Sequence, residues 1–147
     1  MKKFFITLLI VLVVFVAPLM MLISKYKQKQ GEITKFNLQF EEHKQGKIHG
    51  IDVASLINAA VDNNERYEIE KNEEDIYIDD DIYCVRIEII MKSVSDNTQT
   101  ITYAMEDIYS LGMDRFVKNF NLLEFECTDI RYNSIGRVSK IKFKFAE

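Results

Sequence analysis

Residues Phe4–Ile23, FFITLLIVLVVFVAPLMMLI, run for twenty positions without a charged side chain. As an α-helix rising about 1.5 Å per residue, this run covers about 30 Å, the hydrocarbon thickness of a bilayer. It is apolar on every face, which does not suit a helix at the rim of a soluble core. The run predicts one membrane-spanning helix and leaves the rest of the 147 residues for one water-soluble domain. A cleaved signal peptide is the competing reading. It would have an apolar region of about 7–15 residues and a small-x-small cleavage site. Here the run is longer, Ala17 is followed by Pro18, and Ser24 has Leu22 two positions before it. An uncleaved anchor over residues 1–24 is therefore favoured, kinked near Pro18, the single proline.

Lys2 and Lys3 precede the run and Lys25, Lys27 and Lys29 follow it. The positive-inside comparison is nearly a tie. The short Met-Lys-Lys tail favours a cytoplasmic N-terminus. The expected arrangement is a single-pass protein of the cell membrane, partnered by the lipid bilayer, with an extracytoplasmic domain.

Residues 25–50 read as an amphipathic helical stalk and turn. Ile33, Phe36 and Phe40 share one helix face, with a break expected at Gly31 and a turn between Gly46 and Gly50. Residues 51–147 read as the soluble domain. Asp52–Asn64 is a helix, with Asp52 as its N-cap, an apolar stripe of Val53, Leu56, Ile57, Ala60 and Val61, and Asn63 and Asn64 at its end. Tyr67–Glu70 and Ile76–Ile78 suggest a short hairpin. Ile82–Met91 is a strand with Val85, Ile87 and Ile89 on one face. Ser95-Asp96-Asn97 signals a turn, after which Thr98–Ala104 returns antiparallel. Residues 105–120 show helical spacing interrupted at Gly112, with helix expected over at least Asp114–Asn119. Leu123–Tyr132, a turn over Asn133–Gly136 and the last strand from Val138 make a hairpin. From Ile141 onward, strict alternation with Lys142 and Lys144 gives one buried and one solvated face. The expected fold class is α+β: an N-terminal transmembrane helix, then an antiparallel sheet of about four strands packed by helices.

The net charge of −4 offers no basic surplus for nucleic acid. His43 and His49 are the only histidines, and neither has a ligand partner at metal-site spacing. Cys84 and Cys127 are too few for a disulfide framework. With Val85 facing the core, Cys84 should face away, whereas Cys127 shares the face of Leu123 and Phe125. A bridge between them stays open. No phosphate-binding loop or nucleophile elbow is present. These observations predict no catalytic residue, no metal and no cofactor.

Charge is instead concentrated in two places. Residues 62–81 carry ten carboxylates against Arg66 and Lys71, most densely at Asp79, Asp80 and Asp81. Arg131, Arg137, Lys140, Lys142 and Lys144 occupy a stretch without an acid. The pair reads as an intramolecular match, a match between subunits, or two unrelated surfaces. Clustered carboxylates also suit a hard cation such as Ca²⁺, although the D-x-[DN]-x-[DN]-G loop is lacking.

An apolar N-terminal helix passing into an amphipathic one and then an antiparallel sheet resembles, in outline, the type IV pilins and pseudopilins. The chain departs from that family's processing signature, because Lys3 precedes Phe4 and residues 4–23 contain no Glu. The resemblance thus implies an outline and no functional residues. The pattern formed by Phe36, Phe40, Gly50, Val53, Leu56, Ile57, Asn63 and Asn64 is similar to small membrane-anchored proteins of Gram-positive bacteria, and an Ile- and Lys-rich composition fits an AT-rich bacterial genome. The expected function is a non-enzymatic interaction or assembly subunit of the cell envelope, with a protein partner or self-assembly. Asp79, Asp80, Asp81, Arg137, Lys140, Lys142 and Lys144 are the candidate surface. The alternative is an extracytoplasmic ligand- or ion-binding sensor domain using residues 62–81.

Overall fold

The computed structural model describes residues 2–92 and 99–146, so the Ser95-Asp96-Asn97 turn lies outside the described residues. The chain divides into two units, Met1–Lys35 and Phe36–Glu147. The first unit is helical: α1 (Lys2–Val11), a π-helical segment (Leu12–Val16) and the greater part of α2 (Ala17–Glu41). The π segment has a local cause. Pro18 has no N–H and its ring crowds the carbonyl four residues earlier. The chain answers with a wider turn in which the Ala17 N–H reaches back five residues to Leu12 O. Gly31 does not break α2. The helix is long and apolar enough to cross a membrane, and none of its most apolar eighteen-residue window is covered by protein.

The second unit begins at Phe36, within the segment read as a stalk, and is an α+β domain. Among the described residues its sheet has five strands in the order β1-β4-β5-β2-β3. These are β1 (Lys47–His49), β2 (Arg86–Lys92), β3 (Thr100–Ala104), β4 (Glu124–Tyr132) and β5 (Val138–Phe145). Two hairpins, β2–β3 and β4–β5, lie side by side. β5 meets β2 in parallel, with Ile87 opposite Ile141 and Ile89 opposite Phe143. The sheet is therefore mixed, and its fifth strand is the short β1, which occupies the expected turn before Gly50. Alternation explains the faces: Val85, Ile87, Ile89, Phe125, Ile141 and Phe143 all lie in the core. The pattern slips twice, from Cys127 to Ile130 and from Val138 to Ile141. Each slip marks an irregularity in the β4–β5 register that lets the apolar set stay inside.

Helices α3 (Gly50–Arg66), α4 (Met105–Leu111) and α5 (Met113–Phe120) complete the core. Asp52 is not the N-cap of α3. It sits at the third helical position, and its carboxylate accepts the N–H of His49 at 3.2 Å. Gly50 is required by contact: a Cβ there would lie 2.0 Å from the Phe120 carbonyl oxygen. Gly112 separates α4 from α5 at φ +96°, a conformation that favours glycine.

Asn63 and Asn64 do not end α3 but lie buried inside it. Fully buried Asn64 accepts the Val85 N–H at 2.9 Å and donates to the Val85 carbonyl at 2.8 Å. Its side chain thus acts as a one-residue strand partner for the start of β2. Between α3 and β2 the chain forms a long acidic loop, in which the expected hairpin is reduced to one bridge between Lys71 and Tyr77.

Asn64→Ala orphans both backbone groups of Val85 in the core. Unfolding of the full chain in detergent should show a loss of roughly 2–4 kcal/mol, whereas exposed Asn119→Ala should stay within about 0.5 kcal/mol.

Candidate functional site

The sequence places Arg137 among surface bases, but the side chain is only 4% exposed. Its guanidinium donates to the Tyr83 carbonyl at 2.9 Å and to Asn63 Oδ1 at 2.5 Å. It also lies over the Phe36 ring, 3.6 Å from the centroid. Tyr67 and Tyr83, stacked at 4.1 Å, stand farther off on the same cation. Burial lowers the Arg137 pKa against the attraction of Tyr67, Tyr83 and Asp80. The β4–β5 turn is fastened around it. Asn133 Oδ1 accepts the Ile135 and Arg137 N–H groups, and its amide donates to the Ile82 carbonyl at 2.7 Å. Asn37, in the last turns of α2, donates to the Gly136 carbonyl and accepts the Val138 N–H, both at 2.9 Å. One polar knot therefore joins α2, α3, the end of the acidic loop and the hairpin.

Asp80 serves the same knot. Its Oδ1 accepts the N–H groups of Ile82, Tyr83 and Cys84 at 3.1, 2.8 and 2.7 Å. Burial alone would raise its pKa; those N–H groups, Cys84 foremost, outweigh burial and hold it below the ordinary carboxylate value. Asp79 accepts the Asp81 N–H at 2.9 Å, and Asp81 takes a left-handed φ of +57°. The densest acidic residues thus shape the loop's own backbone. Among the described residues, no three His, Cys, Asp or Glu side chains gather as a metal site.

The remaining bases lie on the outward face of β5. Lys140 and Lys142 converge on the two carboxylate oxygens of Glu88 in β2, Lys142 at 3.1 Å. Lys144 is exposed, opposite Glu126 of β4. At the far edge, Lys47 pairs with Glu124 at 3.0 Å. Among the described residues, no ion pair links the 62–81 carboxylates to the β5 bases. The structure therefore brings Asp79, Asp80, Asp81 and Arg137 to one end of the domain and leaves Lys140, Lys142 and Lys144 on the sheet face. Arg137, being buried, is not part of any exposed surface with the other six.

Asn63, Asn64 and Asn133 have the sequence look of helix-end and turn residues, yet each holds a partner distant in the chain. Asn64 carried a signal, since it follows Ala60 and Val61 by four and three residues and so falls on the apolar stripe of α3. An apolar cleft of about 210 Å³, not foreshadowed in the sequence, lies between the β2–β3 hairpin and α4–α5, lined by Met91, Tyr103, Ile108, Leu111, Gly112, Phe116 and Phe120, with Arg115 and Asn119 as its polar lining. Cys84 and Cys127 are both free. Cys84 is buried, contrary to the alternation argument, because β2 begins only at Arg86 and Cys84 belongs to the irregular approach to it. Cys127 is half-buried beside the core.

No protein-family model, curated protein or solved structure matches this chain.

Two substitutions probe these contacts. Arg137→Lys loses the planar fork that reaches Tyr83 and Asn63 together, and should cost roughly 1–3 kcal/mol. Limited proteolysis should then cut faster within residues 67–85. Burial raises the Glu88 pKa, but hydrogen bonds from Lys140 and Lys142 more than reverse it, so the folded value is lowered from 4.5. The stabilisation is present above that unfolded value and disappears as pH falls through the folded one. Urea midpoints of wild type and Glu88→Gln, compared across pH, should differ most above 4.5 and converge in acid.

Proposed function

We propose that this chain is a membrane-anchored, non-enzymatic interaction or assembly subunit of the bacterial cell envelope. It is held by Phe4–Ile23 and exposes its domain outside the cytoplasm. The observation that carries this reading is the apolar helix itself. Phe4, Phe15 and Met21 are 71%, 69% and 70% exposed, on a stretch where large apolar side chains point outward in every direction. Apolar area contributes about 25 cal/mol per Å² when it leaves water, so a stretch this size favours lipid strongly. The length of the run and its lack of a small-x-small site support retention as an anchor.

The domain's polar groups support a binding role over a chemical one. Asp80, Arg137, Asn63 and Asn64 are each committed to holding backbone or one another. The cleft of about 210 Å³ is below the roughly 300–1,000 Å³ usual for small-molecule sites and suits one or two apolar side chains of a protein surface.

Full-length chain should stay with membranes through carbonate extraction, and a C-terminal reporter should read the outer compartment. Release by carbonate would remove the anchor, and an inward-reading reporter would remove the topology. A photo-crosslinking residue replacing Leu111, 60% exposed beside the cleft, should form discrete protein adducts in living cells. Recovery of monomer alone would defeat the interaction reading.

A further inference from the structure

β3 ends the sheet. It pairs with β2 on one side, and among the described residues its other row of N–H and C=O groups has no ladder partner. Such an edge is usually protected by charge, proline, a bulge or brevity. The opposite edge follows that rule: β1 has three residues and carries Lys47, which is paired with Glu124. β3 does not. Thr100–Ala104 reads TITYA, with no charge and no proline, and its five pairs with β2 run without a register shift. Thr100, Ile101 and Thr102 are exposed.

The segment is also complementary to itself. Turned antiparallel about Thr102, a second β3 sets Thr102 against Thr102, Ile101 against Tyr103 and Thr100 against Ala104. Thr–Thr and β-branched–aromatic pairs are favourable cross-strand neighbours, and no like charges meet. Ile101 and Tyr103 stand opposite Met91 and Ile89, on the core side of the sheet. Ile101, at 39% exposure, thus gains an apolar neighbour from the other copy next to the cleft. We propose that two copies of this chain join edge to edge through β3, antiparallel about Thr102, so that their sheets become continuous.

A five-residue ladder is small beside the ~1,200 Å² of a stable interface. Confinement of both copies in one membrane raises their effective concentration and makes so small a contact sufficient. This confinement rests on the anchored reading above.

The test uses full-length chain in its membranes, with Cys127→Ser as background and copper–phenanthroline as oxidant. Thr102→Cys should give a disulfide-linked dimer, because the two positions face each other across the axis. Thr100→Cys should give about tenfold less, since residues four positions out of register lie roughly 14 Å apart and a disulfide needs Cα atoms within about 7 Å. Ile101→Lys in the Thr102→Cys chain should abolish the product by placing a charge in the apolar pair. Equal crosslinking at positions 100 and 102, or none at 102, overturns the proposal. Carbonate extraction of the same membranes reports separately on the anchor. A retained chain that never links at 102 refutes the edge pairing alone, and a released chain that does link refutes the anchor alone.

Discussion

The domain is organised around a pair of buried asparagines. Asn64 gives Val85 both halves of a strand-like hydrogen-bond pair, and Asn63 passes the connection to Arg137 and Tyr83. The remaining large contacts are apolar and adjustable. These amides are directional and buried, so a misplaced partner leaves polar groups unsatisfied at a cost of about 1–3 kcal/mol each. They fix where α3 lies against the start of β2, and through Arg137 they fix where the β4–β5 turn lies against both. The parallel β2–β5 pairing follows from two hairpins being held at one place by one polar knot.

The electrostatics are internal and local. A chain with ten carboxylates in twenty residues and a basic last strand suggests two opposed poles. The structure distributes the charges otherwise. Asp80 neutralises backbone N–H dipoles, and Glu88 collects two lysines. Arg137 is balanced chiefly by carbonyls and aromatic faces. The outward face of the sheet is left as a mosaic of short-range pairs, each of modest worth in water.

Local periodicity made most of the elements readable. Val85, Ile87 and Ile89 marked β2, and Ile141, Phe143 and Phe145 marked β5. The pause at Gly112 marked the start of α5, while the helical state of 105–111, now α4, stayed open in the sequence. What could not be read depended on distance in sequence. Asn63 and Asn64 look like helix terminators because Asn commonly ends helices; only contact with residues twenty positions later makes them core. The parallel pair escaped for the same reason, since β2 and β5 are separated by β3, two helices and β4. Arg137 looked like its lysine neighbours because charge counting is blind to burial. The N-terminal run, by contrast, was legible as a helix, since twenty uncharged and mostly apolar residues favour one by composition, although its π-helical turn at Leu12–Val16 was not. The cleft was not, because its walls come from three separate segments whose apolar residues each resemble ordinary core.

Cys84 ties the domain to a wider property. Its thiol is 2% exposed, and burial, aided by Asp79, pushes its pKa to about 12. At neutral pH this sulfur stays protonated, so thiol exchange at it is slow. Nothing in the core waits for an oxidant to complete it. The core is closed by packing alone, with neither cysteine bridged.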